Sequence, residues 1–64
     1  MKITDIIASF GSQAELARAV GLKQPHVYQW KERGSIPAWR HVDILKAAKQ
    51  RGINLTREDL EGAT

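Results

Sequence analysis

The sequence predicts an all-α protein, a small four- to five-helix bundle forming one domain over residues 1–64. Three observations lead there: apolar residues recur at helical spacing, glycines fall where such helices would end, and no segment alternates convincingly as a strand does. A chain of 64 residues is near the lower end of what folds alone, since small domains bury a smaller fraction of their surface.

The first helix is expected over about Ile3 to Phe10, where Ile3, Ile6, Ile7 and Phe10 stand at i, i+3, i+4 and i+7 and form one apolar stripe. Gly11 stops it. Ser12 is a good N-cap for the next helix, with Glu15 three residues on to complete a capping box. That second helix, Gln13 to Val20, places Leu16, Ala17 and Val20 on one face and ends at Gly21. The third runs from about Gln24 to Arg33 with Val27 and Trp30 inward. Pro25 is tolerated only in a first turn, which sets the start at Lys23 or Gln24.

Gly34 and Ser35 break the chain, and Pro37 opens a fourth helix through about Gln50. Its apolar face is expected from Trp39, Val42 and Leu45, with Ile44 and Ala48 as further candidates. After Gly52, a short extended piece at Ile53 to Leu55 is followed by a last helix signalled by Thr56 with Asp59, a second capping pair.

Charge is unevenly distributed along this order. Residues 23–51 carry seven Lys or Arg against Glu32 and Asp43, whereas residues 52–64 carry Arg57 against Glu58, Asp59 and Glu61. A polyanion would be drawn to the central block, although a solvated basic face has the same composition. No cysteine is present, which excludes disulfides and thiolate chemistry, and His26 and His41 alone make a poor metal set. No apolar run reaches membrane-spanning length, so a soluble cytoplasmic protein is expected. No cofactor is expected. With no carboxylate pair, no nucleophile beside a base and too little chain to enclose a pocket, neither is catalysis.

Residues 13–33 read as a helix-turn-helix: Ala17 at the close crossing, Gly21 at the turn, Leu22 plugging the turn, and Val27 and Trp30 packing one helix on the other. "QAELARAVG" resembles the first helix and turn of the Cro and repressor helix-turn-helix proteins of temperate phages, and "GLKQPHV" resembles the start of their recognition helix. "SIPAWRHVDI" and "LTREDL" are similar to the small Cro-like regulators of YdaS antitoxin type. Lys23 stands where that family often has Ser or Thr.

The resemblance implies a lambda-repressor-like fold whose third helix enters the major groove of a double-stranded operator, bound by a homodimer. Residue chemistry agrees at several positions. Gln24 and Gln29 each offer a donor and an acceptor that match adenine, Lys23 can reach guanine, and His26 can bond a base or a phosphate; all four are base-contact candidates, with plain surface residues as the alternative. Phosphate contacts are expected from Ser12, Gln13, Tyr28, Lys31, Arg33, Ser35 and Arg40, which ring that helix. The dimer surface is expected at the fourth helix and the tail, about residues 53–64, with Leu55, Leu60 and Trp39 as apolar candidates. For Trp39, partial core, dimer contact and phosphate contact all remain open. Trp30 is expected in the core rather than as a stacking platform. The other reading is an antitoxin or adaptor whose main partner is a protein, met by the acidic tail and Trp39.

Overall fold

A computed structural model describes all residues, 1–64, as five α-helices and one 3-10 turn with no strand. The helices are α1 (Ile3–Phe10), α2 (Gln13–Ala19), α3 (Gln24–Arg33), α4 (His41–Gln50) and α5 (Arg57–Glu61), with the 3-10 turn at Ala38–Arg40. The expected all-α class holds, and the first three helices lie within a residue of their expected bounds.

Local chemistry explains those bounds. Ser12 Oγ accepts from the Glu15 N–H at 3.2 Å, satisfying one free donor of α2. Glu15 does not return the bond. Its carboxylate instead accepts from Arg18 at 2.7 Å and from Arg51 at 3.3 Å, so the expected capping box is half made and the start of α2 is tied to the end of α4. The box at α5 is complete: Thr56 and Asp59 exchange side-chain and backbone bonds at 3.0 and 3.2 Å. Gly21, between α2 and α3, has φ +74, in the left-handed region where a side chain is strained, yet a Cβ there would touch nothing within 4 Å. Its requirement is one of backbone conformation rather than space.

The core is one cluster of 14 buried apolar residues. The α1 stripe supplies Ile3, Ile6, Ile7 and Phe10; α2 and α3 supply Leu16, Ala17, Val27 and Trp30. Helices α2 and α3 pack against each other, α1 backs both, and α5 rests on α4. Leu22 lies partly buried against the cluster, plugging the turn as its position suggests.

Two expectations do not hold in the structure, the start and buried face of the fourth helix and the exposure of Leu60. Helix α4 begins at His41, not at Pro37, and its buried face is His41, Ile44, Ala47 and Ala48. Trp39 and Val42, expected inward, are 70% and 57% exposed, and Leu45 is only partly covered. A 3-10 turn advances about three residues per turn instead of 3.6, so the three residues before His41 rotate the stripe away from where a continuous helix would place it. Residues 53–55, expected as a short extended piece, belong to no helix, and Ile53 and Leu55 pack against the cluster. Leu60, expected at a dimer surface, is 1% exposed and belongs to the core, together with Ala63. The tail closes the fold further still, because the Ile3 N–H at the start of α1 donates to the Thr64 backbone oxygen at 3.0 Å.

Candidate nucleic-acid interface

Helix α3 is the element that the rest of the molecule presents. Val27 and Trp30 anchor it, and the residues before and between them face out: Gln24, Pro25, His26, Tyr28 and Gln29 are all exposed. Pro25 sits in the first turn, where its missing N–H breaks no helical bond. Lys23 is the N-cap residue and makes no side-chain cap, leaving its ammonium unpaired beside the positive end of the helix dipole. Gly34 ends the helix in the left-handed conformation, its N–H donating to the Trp30 carbonyl.

Helical periodicity divides this exposed face into two flanks. On one, Gln24, Pro25 and Tyr28 border a shallow hollow with Gln13 of α2, which brings together three candidates from two helices. On the other, His26, Gln29 and Arg33 line a cleft of about 330 Å³ whose far wall is Pro37, Trp39 and Arg40, with Leu22 and Trp30 at its base. The candidates are thus gathered on and around one helix. Ser12, Lys23, Lys31 and Ser35 are exposed but border neither hollow.

The electrostatics of the two flanks differ. Near Tyr28 the Glu32 carboxylate, one turn along, holds the phenol above its ordinary pKa by hydrogen bonding and by charge. That negative charge works against an anion at Tyr28. In the other cleft Arg33 is exposed, while the Arg40 guanidinium lies 4.0 Å from the centre of the Trp39 ring and 3.7 Å from Asp43. Arg40 is therefore held in place, its side chain 21% exposed, by stacking and by an ion pair.

Two features of this site are absent from the sequence reading. One is the Arg40–Trp39 stack; adjacent Trp and Arg in "PAWRHV" were its only signal. The other is His41, buried at the start of α4, whose Nε2 lies 3.1 Å from the Ile36 carbonyl. A carbonyl only accepts, so that nitrogen carries the proton. With Ile36 itself buried, this bond clips the Ser35–Pro37 loop to α4 and fixes the far wall of the cleft. No group of three or more His, Asp or Glu side chains is placed to share a metal ion, and no helix is long and apolar enough to cross a membrane.

Fold and surface together define a class: a small all-helical domain in which two helices joined by a glycine turn display the second of them. Within that class, a family model described as bacterial toxin YdaS matches residues 3–61, and the chain belongs to the YdaS family. That description says toxin, where the resemblance in the sequence is to the antitoxin type. No curated protein and no solved structure matches the chain.

Proposed function

We propose that this YdaS-family chain is a sequence-specific DNA-binding regulator of Cro type, acting in the cytoplasm and repressing by occupying a near-palindromic operator as a homodimer. The observation that carries this reading is the outer face of α3, where Gln24 on one flank and His26 and Gln29 on the other are exposed hydrogen-bonding side chains on a helix anchored by buried Val27 and Trp30. A helix of this kind fits the major groove, where Gln pairs with adenine N6 and N7, and where Lys23 and His26 can meet purine acceptors. Arg33, Arg40, Lys31, Ser35, Ser12 and Gln13 surround it at the level of the phosphates, and Tyr28 contributes least because of Glu32 beside it.

Selection of binding sites from random duplex DNA tests the reading. The expected product is a palindrome whose half-site centres lie about 10 bp apart. Absence of any enriched sequence, with the folded protein confirmed, would refute it.

A second reading takes the chain as a toxin, the word in the family description, or as an antitoxin, acting by binding another protein. In the tail Leu60 and Ala63 are buried, which leaves such a partner an exposed edge of Arg57, Glu58 and Glu61, with Arg57 and Glu61 paired at 3.2 Å. Induced expression separates the two. Growth arrest by a variant that has lost DNA binding favours the protein-directed reading, and arrest that disappears with DNA binding favours the first.

A further inference from the structure

The cleft between α3 and the 3-10 turn holds more in its walls than a contact to a duplex phosphate uses. Arg33 from α3 and Arg40 from the turn bring two guanidinium groups to it, and no carboxylate lines it. Arg33 takes part in no ion pair, and Arg40 meets Asp43 only at 3.7 Å, which leaves it further donors. Beside them stands an indole. Arg40 covers one face of the Trp39 ring at 4.0 Å, and with the residue 70% exposed most of the ring surface stays open. Gln29 adds an amide to the same space.

We infer that this cleft binds one adenine nucleotide, its phosphate held by Arg33 and Arg40 and its base stacked on Trp39. The walls select each part of that ligand. Two guanidiniums facing one space match an anion that accepts several hydrogen bonds at once, as a phosphate monoester does. An open indole is a flat apolar surface on which a base stacks. Adenine presents a donor and an acceptor side by side at N6 and N7, and the Gln29 amide can meet both. Size limits the number: small-molecule sites run from about 300 to 1,000 Å³, so a cleft of about 330 Å³ takes a single nucleotide. Two sources carry this chemistry, a free mononucleotide and a nucleotide of an unpaired strand; a base paired in a duplex is stacked on its neighbours and cannot lie on Trp39. His26, Gln29 and Arg33 also belong to the face proposed for DNA, so on that reading a bound nucleotide and the operator exclude each other.

Calorimetric titration of the full chain with adenosine 5′-monophosphate tests the site without duplex DNA. Saturable binding at one site is expected, with a Kd below about 1 mM. Adenosine and inorganic phosphate each lack one part of the ligand and should bind at least about tenfold more weakly. Trp39→Ala and Arg33→Gln change exposed side chains, and each should weaken the mononucleotide by about tenfold or more. Lys49→Gln removes the same charge outside the cleft and should stay within about twofold. Equal weakening by Lys49→Gln, or inorganic phosphate binding as tightly as the mononucleotide, overturns the inference. A single strand of deoxyadenosines separates the sources: binding of the strand alone, with the same response to the variants, supports the site and assigns it to unpaired DNA, and binding of neither ligand overturns it. A last arm rests on the DNA-binding reading. Mononucleotide at about ten times its Kd should weaken binding to a selected duplex about elevenfold. Unchanged duplex affinity overturns the shared use of the cleft, whereas failure to select any duplex refutes the DNA reading and leaves the nucleotide titration to decide the site.

Discussion

Replacing Leu60 by alanine separates two accounts of the C-terminal tail. On a dimer surface the change would weaken self-association and spare the monomer. In the structure the side chain is 1% exposed within the apolar cluster, on a helix that rests on α4. Burying a leucine contributes about 1.5–3 kcal/mol by transfer alone, and the cavity left by truncation brings Leu→Ala costs to about 2–5 kcal/mol. A chain of 64 residues at about 0.05–0.15 kcal/mol each has about 3–10 kcal/mol in total. The loss is thus a large fraction of everything that holds the fold. Urea unfolding followed by tryptophan fluorescence is the assay, because Trp30 is 5% exposed and reports the core, while exposed Trp39 gives a nearly constant background. With a slope of about 1 kcal/mol per molar urea, the midpoint should fall by about 2 M or more, or the variant should be unfolded at the outset. A midpoint within about 0.5 M of the wild type would place Leu60 at the surface and refute the packing described here.

Three further outcomes are expected. Gly21→Ala should cost about 1–2 kcal/mol through its positive φ and lower the melting temperature by about 4–8 °C per kcal/mol, with no steric contribution because the space around it is open. Gln24→Ala should lose about 1–3 kcal/mol of discrimination at one base pair, whereas Arg33→Ala should weaken all sequences alike and reduce the salt slope of binding by about one; equal losses on selected and random duplexes for both would overturn their roles. Glu32→Gln should return the Tyr28 phenol toward its ordinary pKa, seen as tyrosinate absorbance appearing at lower pH than in the wild type.

The first half of the fold was legible because its punctuation is local. Gly11, Ser12, Gly21, Pro25 and Gly34 each act on their own backbone, so the bounds of α1, α2 and α3 follow from single residues. Helix α4 was misread for an equally physical reason: three residues of 3-10 geometry shift the register, and a buried histidine holds the inward position that an apolar pattern assigns to Val42 or Trp39. Leu60 is a lone apolar residue on a five-residue helix, and its burial depends on α1, α4 and the chain end meeting around it, none of which a local window contains. For the interface, the exposed polar set on α3 could be read from helical phase alone. The cleft wall formed by Trp39 and Arg40 could not, since it depends on the bond from the buried His41 ring to the Ile36 carbonyl, which no helical phase or local pattern announces.

The bond from Ile3 to Thr64 has a consequence for the order of assembly. A ribosome delivers α1 before residues 60–64, so α1 emerges with its leading amide unmet and with Leu60 and Ala63 missing from the cluster it borders. Helices α2 and α3 can pair as soon as both are out of the exit tunnel. The domain as a whole closes only once residues 60–64 are free to fold back onto the start of α1, so α3 exists well before the fold that holds it is complete.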